Sequence, residues 1–346
     1  MAVYQLDPLE DRRWRNFVSE QPNSSVFHTA GWLEALRQTY GYKPLVLTTC
    51  RPGRDLTNGL VFCRITSRLT GRRLVSLPFS DHCEPLVGNA DDTEQLLCCL
   101  EDILEKEDLK YIEIRPISGC FEGQADFVQG KQFWFHKIEL GPSLDDLFRS
   151  FHRDCVQRKI RRAEREALDY EAGRSDSLLR QFYHLLLLTR RRQQLPPQPV
   201  DWFRNLIACL GDKIKIYVAS KGGLPVASVV TLCHKDVLVY KYGASDTRFS
   251  RFGGTQLLLW RIIQEGNHDG IREFDLGRSD LDHPGLVTFK DRWGSRRSTL
   301  TYWRYPAPGR VDSTAGWTMR AARQVLARMP DGVFAMAGKL LCKHVA

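Results

Sequence analysis

Tyr240 to Gly294 holds the residues whose types and spacing are best suited to chemistry: YKYGASDTRFSRFGGTQLLLWRIIQEGNHDGIREFDLGRSDLDHPGLVTFKDRWG. Gly253-Gly254-Thr255 opens a helix in which Leu258, Leu259, Ile262 and Ile263 share one apolar face. Thr255 is able to accept a hydrogen bond from an N–H of the first turn. A glycine-rich turn feeding a helix gathers unpaired N–H groups and the positive end of the helix dipole at one point, which suits a phosphate or pyrophosphate. The same residues also serve as a plain tight turn from strand to helix. Arg248 and Arg251 put two cations in the loop just before it. Asp275 and Arg278 fall at the C-terminal end of a predicted strand, Ile271 to Leu276, where open α/β sheets place their ligands. Asp275 then acts as a base or an orienting carboxylate, or it pairs with Arg278 or Arg272. Asp246 either caps its loop or touches a substrate, and His283, before Pro284-Gly285, is a candidate proton acceptor.

These residues need strands and helices to position them. Val237 to Tyr242 reads as a β-branched and aromatic strand stopping at Gly243. Before it come strands at Lys213–Ser220 and Pro225–Cys233, joined by a hairpin-length turn. The first half repeats the order: strands at 43–50, 59–66 and 72–78, a loop containing DHCEPLVGN, a helix at 92–108 and a strand at 110–115. Both halves run strand, turn, strand, strand, loop, helix, strand. Tyr111-Ile112-Glu113-Ile114-Arg115 stands where Glu273-Phe274-Asp275-Leu276-Gly277 stands later. This repeat of architecture predicts two α/β domains with mixed sheets. A strand at 133–140 and one basic helix over about 144–167 join them, followed by helices at 177–192 and 200–210. The expected domains are 1–140, 141–305 and a basic amphipathic helical tail over 306–346. Trp317, Val325, Leu326, Phe334, Leu340 and Leu341 form the apolar side of that tail, which suits packing on its own domain or lying on a membrane surface.

Length and composition agree with two soluble globular domains: 346 residues, 42% apolar and 26% charged. No apolar run reaches the roughly 18 residues of a membrane helix. The charged N-terminus lacks the apolar segment of a signal peptide, which predicts a cytoplasmic protein. Ten cysteines without a Cys-x-x-Cys pair, set among apolar neighbours, read as free thiols. Asp81-His82-Cys83-Glu84 has metal-ligand residue types, but four successive residues do not easily converge on one ion, and no metal is expected. The net charge of +9 is concentrated in Arg149–Arg165, in Arg190–Arg192 and in the tail. Such clusters suit phosphorylated partners, nucleic acid or an anionic membrane, or are simply solvated helix faces.

Five stretches together resemble one family: FHTAGWLEALRQTYGYKP, RRLVSLPFSDHCEPLV, RKIRRAEREALDYEAG, the block YKYGASD to FKDRWG, and the ending MAGKLLCKHVA. The chain resembles the FemAB-like branch of the GNAT superfamily, in particular FemAB-related proteins associated with exopolysaccharide and PEP-CTERM export systems. The resemblance implies two tandem GNAT-like domains and transfer of an acyl or aminoacyl group onto an amine. It implies no tightly bound cofactor, with acyl-CoA or aminoacyl-tRNA as co-substrate. The acceptor it implies is a nucleotide- or lipid-linked glycan or muropeptide precursor. The chain departs from the usual CoA-binding pattern, since Arg248-Phe-Ser-Arg251-Phe-Gly253 keeps only the first and last positions. It also lacks the helical arm of some tRNA-dependent members.

Amine acylation needs a neutral attacking nitrogen, a stabilised oxyanion and a protonated leaving group. Lys290 matches the FK-motif lysine of the family, which makes it a cation for a phosphate or for the oxyanion. Asp275 and His283 complete the catalytic candidates. The donor candidates are Arg248, Arg251, Gly253, Gly254 and Thr255, and the acceptor candidates are Arg158, Arg162, Asp246, Arg278 and Trp293. Tyr242 and Tyr302 are either acids for the leaving group or core residues. No Ser-His-Asp or Cys-His order is legible, so no covalent intermediate is expected. Two other functions remain open: a non-catalytic protein of this fold that binds a polysaccharide or lipid-linked intermediate, and nucleic-acid binding suggested by charge alone.

Overall fold

The computed structural model describes residues 2–67, 70–119, 127–306 and 328–345. Trp317, Val325 and Leu326 of the expected tail lie outside the described residues. The chain divides into two compact units. Counting described residues, one comprises 2–67, 70–119, 127–132, 300–306 and 343–345, and the other 133–299 and 328–342.

The first unit begins with β1 (Tyr4–Leu6), α1 (Arg12–Glu20) and α2 (Ala30–Tyr40). Thr29 caps α2, and Gly41 ends it in the left-handed conformation. Then come β2 (Lys43–Thr48), β3 (Leu60–Ser67), β4 (Gly71–Val75), α3 (Ala90–Lys106) and β5 (Tyr111–Ile114). β1 to β4 pair antiparallel in sequence order, and β4 pairs parallel to β5 across the α3 crossover. Leu96, Leu97 and Leu100 of α3 pack on Phe62, Leu74 and Ile112 of the strands.

The second unit takes over at Phe133, within β6 (Val128–Glu139). It continues through α4 (Leu144–Ser150), α5 (Arg158–Arg165), β7 (Asp169–Gly173), α6 (Asp176–Gln193), α7 (Val200–Leu210), β8 (Ile214–Lys221), β9 (Leu224–His234) and β10 (Val237–Ser245). α8 (Gly254–His268), β11 (Glu273–Asp280) and α9 (Pro284–Asp291) complete its series. β7 to β10 pair antiparallel in sequence order, β10 pairs parallel to β11 across α8, and β11 pairs antiparallel to β6. β12 (Arg296–Tyr305) returns to the first unit, where Trp303 to Tyr305 pair antiparallel with β5. The two units therefore share one pattern of four antiparallel strands, a parallel crossover and a sixth antiparallel strand. The sixth strand of the first unit comes from the far end of the chain. α10 (Asp331–Val345) follows.

The mixed α/β class and the internal repeat agree with the sequence reading. The single basic helix over 144–167 does not. It is broken at Phe151 and His152, with a π-helical turn at Arg153–Gln157 before α5. Phe151 turns into the core against Trp260 and Trp293, and His152 N–H donates to the Arg292 carbonyl instead of continuing the helix. Among the described residues, no helix is long and apolar enough to cross a membrane.

Candidate active site

The parallel crossover is where the two units part company. In the second unit the β10–β11 ladder stops, among the described residues, at Val239 and Asp275. Both strands continue past that point. β10 stays with β9 as far as Ser245, and β11 stays with β6 as far as Asp280. They form a fork in which, among the described residues, one edge of β10 has no strand beside it.

A cavity of about 290 Å³ lies at the end of β10. Its walls are Tyr240 and Gly243–Ser245 of β10, Val226 and Ala227 of β9, and Gly254–Gln256 at the start of α8. Phe289 of α9, Lys159 of α5 and Thr189 and Arg192 of α6 close it. Thr189 and Arg192 also fix the rim: Ser245 N–H donates to Thr189 Oγ1 at 3.0 Å, and the Arg192 guanidinium donates to the Ser245 carbonyl at 3.3 Å.

The electrostatics of this cavity favour an anion. Among the described residues no side chain caps α8, and its first turn carries no acid, so its N–H groups and positive dipole end face the cavity. Lys159 and Arg192 add positive charge. Asp246 is the carboxylate of the lining, and it is already paired: Arg248 donates to it at 2.6 Å and holds its pKa below the ordinary value. Gly253 makes the geometry possible. Its φ is +77°, and a Cβ there would lie 2.5 Å from the Lys159 carbonyl oxygen, so only glycine lets α5 pack this closely over the turn.

Tyr240 was not singled out by the sequence reading. A bulge in β10 between Tyr240 and Tyr242 turns the two rings to different surroundings. Tyr242 packs on Phe182 and Phe203, and its hydroxyl accepts from Trp202 Nε1 at 2.8 Å. Tyr240 lines the cavity, with its phenol lying over Gly243; a Cβ on Gly243 would sit 1.7 Å from that hydroxyl. Burial pushes the pKa of the phenol up to about 12, so it keeps its proton at neutral pH. A glycine inside a strand pattern signals a bulge or a close approach, and Gly243 was that signal.

The predicted residues have varied positions. Gly254 and Thr255 line the cavity, although Thr255 sits inside the first turn and Gly253 holds the cap position. Arg248 is occupied by Asp246, and exposed Arg251 lies over the Phe252 ring at 4.7 Å. Asp275 is buried at the apex of the fork, where its carboxylate accepts from Gly277 N–H at 2.6 Å. Lys290 is buried too, and its ammonium donates to the Gly277 and Arg278 carbonyls at 2.8 and 2.9 Å. It thereby braces the irregularity in β11 between Asp275 and Arg278. Arg278 stacks over Phe133 at 4.2 Å. His283 is exposed and caps α9, accepting from Leu286 N–H at 3.2 Å. It stands about 10 Å along the helix from Lys290 at 1.5 Å per residue, so these two do not converge. Arg158 lines a separate open groove of about 890 Å³ with Arg153, Arg161 and Arg165, whereas Arg162 is exposed and lines neither space. Trp293 is a correction: it is fully buried against Phe151 and Phe289 and has no surface to offer an acceptor.

The first unit has closed the same features. Glu113 holds the register position of Asp275, opposite the last paired residue of the parallel strand. Arg115 donates to Glu113 at 2.7 and 2.9 Å and to the Leu77 and Ser80 carbonyls, which plugs the fork. At the start of α3, Asn89 caps the helix by accepting from Asp92 N–H, and the first turn carries Asp91 and Asp92, the latter held by Thr49, Asn58 and Asn89, so its charge opposes an anion there. Tyr302 is buried under Arg115, and its hydroxyl donates to the Asp81 carbonyl.

Comparisons with known proteins agree with this geometry. The Acetyltransferase (GNAT) domain family matches residues 150–285, which include β10, β11, α8 and the cavity lining other than Phe289. No curated protein matches the chain by sequence. Among solved structures, FemX is similar over 89% of this chain and 98% of its own, with 15% identity and a TM-score of 0.71. A tandem GNAT protein from the clavulanic acid biosynthesis pathway is similar over 89% and 99%, with 10% identity and a TM-score of 0.52. L-PGS from Bacillus licheniformis is similar over 78% and 86%, with 14% identity and a TM-score of 0.51. Residues 150–285 thus carry a GNAT acetyltransferase domain, which makes the chain an acyltransferase, and the repeated architecture of its two units is a fold it shares with FemX and the tandem GNAT protein.

Proposed function

We propose that the protein is an N-acyltransferase that takes its acyl group from acyl-CoA in the β10–β11 fork and passes it to an amine of a cell-envelope glycan or peptidoglycan precursor. The observation that carries the donor assignment is the contrast between the two parallel crossovers. One is open, acid-free at its helix start and flanked by Lys159 and Arg192; the other is plugged by Arg115, and its helix start is capped by Asn89 and acidic in the first turn. A pyrophosphate suits the start of α8. An amide-bearing arm suits the open edge of β10, where it adds as a short strand. An aminoacyl-tRNA would present a similar 3′ end, but the pyrophosphate of CoA makes fuller use of the helix start. The envelope acceptor is supported by the fold shared with FemX and L-PGS.

In the reaction, the amine nitrogen attacks the thioester carbonyl, a C–N bond forms and the C–S bond breaks. Tyr240 gives its proton to the departing sulfur and recovers one from solvent, while the nitrogen loses its proton to water. Lys290 and Asp275 act as positioning residues that keep the fork open, since both are engaged with the backbone of β11.

The test is a thermal-shift titration with acetyl-CoA and longer acyl-CoAs, beside Gly254→Glu. A Cβ at Gly254 already approaches Ala227 and Val226 at 3.1 Å, and the added carboxylate opposes an anion. A ligand bound to the native state raises the midpoint by mass action. The expected result is a rise in the wild type that the variant lacks. No rise at millimolar acyl-CoA would refute the donor assignment.

A further inference from the structure

α10 turns a second, different surface outward. One side of it is fixed to the second unit. Phe334 packs on Leu187, and Arg191 stacks over Phe334 and pairs with Asp331 at 2.6 Å. Cys342 is buried, its thiol reaching the Pro197 carbonyl. Gly338 lies so close to that loop that a Cβ would sit 2.1 Å from the same oxygen. Phe334, Gly338 and Cys342 therefore define the inward side at four-residue spacing.

The opposite side is apolar and exposed. Val333, Met336, Leu340 and Leu341 are 43%, 60%, 64% and 38% exposed, half of the eight exposed large hydrophobic residues described in the chain. At 3.6 residues per turn they fall within an arc of about 140°. Lys343 is exposed along the same helix, Lys339 is exposed but pairs with Asp201 at 2.9 Å, and the helix's one acid, Asp331, is paired with Arg191. Isolated surface leucines need no explanation, but four aligned on one helix do.

We infer that this face of α10 docks on an anionic bilayer surface, with the four apolar side chains in the headgroup boundary, Lys343 against lipid phosphates, and Lys339 exchanging its solvent-exposed pair with Asp201 for a phosphate. Together the four expose about 400 Å², roughly half of the ~800 Å² per partner that a stable protein interface buries. A bilayer has no such threshold, because shallow apolar insertion and attraction between lysines and anionic lipid add. The surface would hold the enzyme where a lipid-linked acceptor resides.

The test is sedimentation of the full chain with vesicles of equal parts phosphatidylglycerol and phosphatidylcholine, beside vesicles of phosphatidylcholine alone. The expected result is salt-sensitive binding to the anionic vesicles. Met336→Glu with Leu340→Glu should weaken it at least tenfold without moving the thermal midpoint. Met336→Ser with Leu340→Ser serves as a second pair should the acidic one fold poorly. Absent binding, or binding unchanged in the variants, would overturn the inference. So would a wild-type dimer that the variants convert to monomer, since the face would then be a surface for self-association. No donor or acceptor is present, so failure here leaves the acyl-transfer proposal standing.

Discussion

Gly243→Ala is the sharpest perturbation of the proposed chemistry. The new methyl would lie 1.7 Å from the Tyr240 hydroxyl and 2.7 Å from its Cζ. Ordinary contact needs about 3.5 Å, so the hydroxyl must retreat by roughly 2 Å. Swinging the ring that far moves it off its rotamer and disturbs its packing, at a stability cost of about 1–3 kcal/mol. A misplacement of ~1 Å can already cost about a hundredfold in rate, and a general acid contributes about 10²–10⁴-fold. The expected kcat loss is therefore about 10²–10³-fold. The KM for donor should rise as well, because Gly243 and Tyr240 both line the donor cavity beside the open edge of β10. Tyr240→Phe keeps the ring and should lose a similar factor with a stability change within about 1 kcal/mol. The assay is release of free CoA from acetyl-CoA, followed by chromatography, across a panel of amino-sugar and peptidyl-amine acceptors. Full activity of Tyr240→Phe would refute the role of the phenol.

Three further outcomes follow from the same geometry. Lys290→Met strips a donor from the Gly277 and Arg278 carbonyls; at about 1–3 kcal/mol for each stranded group, the melting midpoint should fall by roughly 5–15 °C. In the first unit, Arg115→Met leaves Glu113 buried with half its partners and should cost about 3–5 kcal/mol, yet acetyl-CoA should still raise the midpoint of the folded variant. His234 is buried, which pushes its pKa down from 6.5 to about 4, and burial with the nearby Lys290 charge lowers that of His136. Below pH 6.5 the unfolded chain takes up protons that the folded chain refuses. Stability is thus full above pH 6.5 and falls towards pH 4, by about 3 kcal/mol for His234 alone at 1.36 kcal/mol per pH unit. Urea unfolding across that range would expose a flat profile if the argument is wrong.

Much of the fold was legible because its signals are local. The glycine-rich turn before α8, the apolar face of that helix and the repeated strand order all survive in the structure. What was not legible depends on distant pairing or on small backbone irregularities. The sixth strand of the first unit arrives from residues 300–305, and no local pattern records that. Strand alternation places Tyr240 and Tyr242 on the same face, and only the bulge separates them. The basic stretch keeps helical periodicity through Phe151, so its break, imposed by packing on Trp260 and Trp293, left no mark. α9 was missed although Pro284 stands at its first turn behind a capping His283, a recognisable start signal. In the site, the glycines were found from their spacing. The cations lining the cavity, Lys159 and Arg192, were visible only as members of wider basic clusters.

Hydrogen exchange with and without saturating acetyl-CoA tests the donor assignment most directly, because it reports where the ligand sits without an acceptor. Slowed exchange should appear over residues 240–257, from the open half of β10 into the first turn of α8. Residues 71–92, the corresponding stretch of the first unit, should be unchanged. Protection in the first unit, or none anywhere at saturation, would contradict a donor site in the β10–β11 fork.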